Sequence, residues 1–167
     1  MGNKNGAVVN IGLNVDYTKS LDAMVTDFKS NLTLMANEAK KSKYAVEMTK
    51  QIDEISNRVD GLSKDIVEAF EKINGINLNS DNFDDYQKHV AGNFEEIEKK
   101  ITGVYSTIDV LNKRFDSIDV SKIKKEFDDL SESVIGSYNE ISNIIGVVRN
   151  CANLESDNRT RASKIEK

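Results

Sequence analysis

Residues 7–17 (AVVNIGLNVDY) alternate apolar and polar with a period of two. Ala7, Val9, Ile11, Leu13, Val15 and Tyr17 fall on one face; Val8, Asn10, Gly12, Asn14 and Asp16 fall on the other. That alternation predicts one half-buried β-strand behind a polar, flexible leader, so that leader and strand together occupy residues 1–17. Nothing later in the chain reads as a partner strand. A lone strand leaves its backbone N–H and C=O groups unpaired, so it must pack on helices or pair with a strand of another chain. Val9, Ile11, Leu13, Val15 and Tyr17 are the expected partner face.

After the strand the period changes to that of a helix. Leu21, Val25, Phe28, Leu32, Met35 and Ala39 step by four and three, which predicts an amphipathic helix capped by Asp16 or Thr18. Lys40-Lys41-Ser42-Lys43 interrupts the seam, and the pattern restarts at Met48. With no Gly or Pro there, a kinked or re-phased helix is expected across residues 40–44 rather than a tight hairpin. The helical segment as a whole is placed at 18–76. From Met48 the heptads are strict. Ile52, Val59, Ile66 and Ile73 hold position a, and Met48, Ile55, Leu62, Ala69 and Ile76 hold position d. This is a coiled-coil seam with left-handed supercoiling.

Residues 74–82 (NGINLNSDN) form a break. Ser80 or Asp81 is the expected cap of a long helix over 80–118, with Phe94, Ile97, Ile101, Val104, Ile108, Leu111, Phe115 and Ile118 on its seam. A second boundary at 116–121 carries the candidate caps Asp119 and Ser121. The last seam, over 121–155, reads Ile123, Phe127, Leu130, Val134, Ser137, Ile141, Ile144, Val148 and Cys151. Tyr138, Ile145 and Val147 widen this stripe, which suits a bundle helix touching two neighbours. Residues 156–167 are expected as a polar, frayed tail. The fold class is therefore mainly α: an elongated helical bundle or coiled coil with one short N-terminal β-strand, self-associating through its seams and its strand edge.

Composition agrees with narrow buried stripes. Apolar residues make up 38% and charged residues 31%, and Pro and Trp are absent; long amphipathic helices suit that balance better than a compact globule. The net charge of −5 speaks against a general polyanion binder. No apolar run reaches the roughly 18 residues of a membrane span, and the start lacks the apolar core of a signal peptide. The single Cys fits a reducing compartment.

Little chemistry is expected. His89 is the sole histidine, off the seam; Cys151, at a d position, reads as a buried structural thiol rather than a nucleophile. One Cys and one His exclude an ordinary zinc site made from one chain. Asp81, Asp84 and Asp85 lack calcium-loop spacing and suit a first helical turn. Asp128 and Asp129, and Glu95, Glu96 and Glu98 beside Lys99 and Lys100, read as solvated faces. No phosphate-binding glycine loop is present. The basic clusters at 40–43 and 149–167 lack interleaved aromatics, so direct nucleic-acid binding is not expected. Gly61, Gly92, Gly103, Gly136 and Gly146 all fall on outward positions, where each costs roughly 1 kcal/mol against Ala. No catalytic residue, metal or cofactor is expected.

Ile11, Leu13, Val15 and Asp16, followed by Leu21, Met24, Phe28 and Leu32, give the head of the chain a strand reading I-x-L-x-V-D, a polar turn and a long amphipathic helix. In this it resembles the opening of phage tail tape measure proteins. The resemblance covers about 30 residues; the remainder is generic coiled coil. It implies an extended, multimeric assembly protein that sets tail length, fills the tail tube and leaves ahead of the DNA. It also implies tail-tube or tail-assembly partners, no catalysis in this region, and a location in the bacterial host cytoplasm and then the virion tail. Tape measure proteins run to many hundreds of residues, so this chain of 167 is an N-terminal fragment, a short relative, or an unrelated coiled-coil protein. The alternative function is a cytosolic coiled-coil adaptor or chaperone binding a helical partner.

Overall fold

The computed structural model describes residues 7–9, 15–73, 76–78, 82–116 and 118–165. Among them are four helices, α1 (Val15–Ala39), α2 (Ala45–Ile73), α3 (Phe83–Arg114) and α4 (Ser121–Ile165), and two short strands, β1 (Ala7–Val9) and β2 (Ile76–Leu78). The chain is mainly helical.

The strand expectation needs three corrections. The ladder at the head of the chain is three residues long, and Val15 and Tyr17 belong to α1. An acidic Asp16 suits a first helical turn by charge, which competes with the alternation. Ile11 and Leu13 lie outside the described residues. Most important, the partner strand is in the same chain: β1 pairs antiparallel with β2, with Ala7 opposite Leu78, Val8 opposite Asn77 and Val9 opposite Ile76. Ile76, read as the last d position of a helix, is a strand residue. Ile-Asn-Leu alternates and is bounded by Asn-Gly and Asn-Ser-Asp, which are turn signals on both sides.

Residues 40–44 are a hairpin turn, not a kinked or re-phased helix. The N–H groups of Lys40, Lys41 and Ser42 bond back to Ala36, Glu38 and Ala39, and Ala45 bonds to Ser42. The Ser42 hydroxyl accepts the Tyr44 N–H at 3.1 Å. A serine side chain thus supplies the turn that a glycine or proline would have signalled. α2 then runs back along α1, with Lys29 reaching Asp60 at 3.0 Å.

α3 begins after Asn82, whose side chain makes no cap bond; Ser80 and Asp81 lie outside the described residues. Asp84 and Asp85 occupy its first turn and Lys113 and Arg114 its last, as the helix dipole favours. It ends at Arg114, so Phe115 and Ile118 are loop residues, although Phe115 stays buried.

At the start of α4 the Asp119 carboxylate accepts the Ser121 N–H at 2.9 Å. The helix does not end near 155. It continues to Ile165, so residues 156–165 are helical rather than frayed. No Gly or Pro interrupts it after Gly146, and Arg159, Arg161 and Lys164 suit a helix C-terminus.

The helices run up, down, up and down. α1 packs on α2 and α4, and α3 packs on α2 and α4, giving a closed four-helix bundle. Its aromatic spine belongs to α4. Phe127 meets Phe28 of α1 and Tyr105 of α3, at ring separations of 5.8 and 4.8 Å. Tyr138 meets Phe70 of α2 and Phe94 of α3, at 5.1 and 4.7 Å. Both turns, 40–44 and 115–120, lie at one end, where Tyr44 meets Phe115 at 6.0 Å and Arg114 faces Glu47 at 3.8 Å. At the other end Arg149 bonds Asp84 at 3.1 Å. Beyond that pair α4 continues for about 24 Å at 1.5 Å per residue, and no side chain described there is buried.

Candidate functional site

The seam residues are spent on the bundle itself. Ile52, Ile55, Val59, Leu62 and Ile66 on α2, and Ile97, Ile101, Val104, Ile108 and Leu111 on α3, are buried in one core with Phe127, Leu130, Val134 and Ile141 of α4. Phe94 and Ile118 pack on it half-buried. The side chains of Ile73 and Val148 lie outside the described set. Among the described residues these seams pack mainly against one another within one chain.

On α4 the expected seam drifts out of phase. Ile144 is 39% exposed while Ile145 is 1% exposed, and Tyr138 is buried where Ser137 was expected. Cys151 is exposed and free, not a buried core thiol. The buried stripe is Ile123, Phe127, Leu130, Val134, Tyr138, Ile141 and Ile145. Ile123, Val134 and Ile145 are 11 apart, as are Phe127 and Tyr138, and Leu130 and Ile141. That is a hendecad repeat of 3.67 residues per turn, not a heptad.

Polar groups inside the bundle are few and structural. Tyr105 donates to the Asp128 carboxylate. Burial first, and then that hydrogen bond, raise the Tyr105 phenol above its ordinary pKa. Burial alone pushes the Tyr86 phenol up to about 12. Lys100 of α3 pairs with Asp65 of α2. His89 is exposed, with Nε2 3.5 Å from the Asn93 amide. Among the described residues no group of three or more His, Cys, Asp or Glu is placed to hold a metal, and no helix is long and apolar enough to cross a membrane. Gly103 departs from the other helical glycines: a Cβ there would lie 2.9 Å from the Arg58 guanidinium, whereas Gly61, Gly92, Gly136 and Gly146 face open space.

The more apolar of two clefts of similar volume among the described residues is a groove at the turn end, between the last turns of α1 and the start of α4. It encloses about 640 Å³. Leu34, Met35 and Ile118 form its apolar surface over the buried Met48 and Ile123, and Glu38, Lys41, Asp119 and Lys122 stand at its rim. Leu34 is 61% exposed. Outside the groove, Tyr44, Val46 and Val110 are also exposed, Val46 by 78%. The sequence carried one sign of this surface: Leu34 is apolar but lies off the α1 seam. Its pairing with Ile118 and Lys122 depends on how α4 returns beside α1, which periodicity does not encode.

Comparison with family models, curated proteins and solved structures returns no match to this chain.

Proposed function

We propose that this chain is a structural assembly protein that acts by being bound, and that it serves phage tail assembly as the N-terminal part of a tape measure protein does. The observation that carries the binding reading is the distribution of exposed apolar side chains. Leu34, Tyr44, Val46 and Val110 lie toward the turn end on different elements, and Val147, Leu154 and Ile165 lie along the far part of α4. Most of the shaft between them is sealed. Exposed apolar side chains gathered at the two ends of a bundle are where partners would bury them. The tail reading is supported by the resemblance at Leu21, Met24, Phe28 and Leu32, which lie on a long amphipathic helix. On this reading the protein works in the bacterial host cytoplasm during assembly, with tail-tube or tail-assembly proteins as partners. An in-frame deletion examined by electron microscopy tests it: tails should be missing or scattered in length. An unchanged tail-length distribution contradicts the tail reading.

The apolar groove between α1 and α4 favours a second reading, an adaptor that binds a helical partner. Helix-in-groove docking uses an apolar channel of this kind.

A further inference from the structure

We propose that the groove between α1 and α4 is a docking site for an acidic amphipathic helix. The inference rests on the chain being an interaction protein and not on the tail reading. Three observations carry it.

The first is shape. A channel of about 640 Å³ admits a row of apolar side chains, and its wall is adaptable. Met35 lies half-buried in that wall, above the buried core residue Met48, and an unbranched thioether repacks around ligands of different outline. The second is exposure. Leu34 covers nothing in its own chain to the extent a core leucine does, and a docked helix would bury it.

The third is charge. The stretches 38–47 and 113–126, which form this end of the bundle, hold eight basic residues against five acidic ones, in a chain whose net charge is −5. Both rim carboxylates are already engaged. Glu38 lies 3.4 Å from Lys41, and Asp119 holds the Ser121 N–H. Lys122 at the rim, with Lys125 one turn along on the same helix, has no acidic partner among the described residues. A ligand with carboxylates flanking an apolar stripe satisfies both features. The far end of α4 does not: Arg159, Arg161 and Lys164 outnumber Asp157 among its described side chains, so docking that helix into the basic end of a second copy sets like charges together.

The probe is a peptide of three heptads, each Ile-Glu-Ala-Leu-Glu-Glu-Ala, titrated with the full chain by fluorescence anisotropy. A control replaces every Glu by Lys. The acidic peptide should bind saturably and weaken with added salt, and the lysine peptide should not bind. Leu34→Glu should weaken binding by roughly tenfold or more, about 1.4 kcal/mol or above. Lys122→Glu should weaken it several-fold and steepen discrimination against acidic ligands. Both positions are exposed, so circular dichroism melts of the variants should match the parent. Val147→Glu, on the far part of α4, should bind as the parent does. Failure of the acidic peptide to bind, equal binding of the lysine peptide, or undiminished binding by Leu34→Glu overturns the proposal. So does sedimentation showing, without peptide, a dimer that Leu34→Glu abolishes, because the groove would then belong to a second copy. None of these outcomes depends on tail length, so this proposal and the tail reading can fail separately.

Discussion

Asp119 and Gly103 show how single positions set local structure here. Hydrogen bonds from the Ser121 side chain and backbone hold the Asp119 carboxyl below the ordinary carboxylate range. A folded pKa below the unfolded value of about 3.9 means the folded state binds fewer protons. The cap therefore contributes fully above that unfolded value and is lost as pH falls through the folded one. Asp119→Ala should lower the melting temperature near neutral pH, with a gap to the parent that narrows as the pH falls below the unfolded carboxylate value of about 3.9. A gap independent of pH would contradict this. At the glycines, Gly61→Ala and Gly136→Ala should each raise stability by about 0.5–1 kcal/mol in urea titrations, because open space receives the new methyl. Gly103→Ala should gain less, since the Arg58 guanidinium must first move. Equal gains at all three would show that Arg58 yields freely.

At the scale of the element, α4 separates what the chain spells out from what it does not. Its hendecad buries Ile145 and exposes Ile144. Ile145→Ala should cost about 2–5 kcal/mol, as a buried deletion does; Ile144→Ala should cost well under half of that. Equal losses would restore the heptad reading. Truncation after Asn150 keeps the Arg149–Asp84 pair and removes helix with no buried side chain described. The melting temperature should hold while helical ellipticity falls; a large drop in melting temperature would mean that this stretch supports the bundle. Helix existence was legible wherever a face is buried, because three- and four-residue steps report that face directly; residues 156–165, helical with no buried side chain described, carry no such signal. On α4 a heptad and a hendecad agree from Ile123 to Val134, and only burial separates Ser137 from Tyr138. The hairpin at 40–44 was misread because its signal is a serine hydroxyl and not a glycine. β2 was misread because three residues are too few to show a period, and Ile76 also fits a helical step.

For the whole molecule, four seams close on one another inside a single chain. Sequence patterns named most of the faces but not their partners. A strict heptad such as Ile52 to Ile73 packs equally well against a neighbour helix or a second copy, and the short connections between successive helices favour the neighbour. The same closure creates the groove, because Leu34 and Ile118 come together only when α4 returns beside α1. Intramolecular closure has a direct test. The thermal unfolding midpoint, followed by circular dichroism over about a hundredfold range of protein concentration, should stay constant, because a unimolecular transition does not depend on concentration. A midpoint that rises steadily with concentration would show that the seams are completed by a second chain, and would contradict the closed bundle.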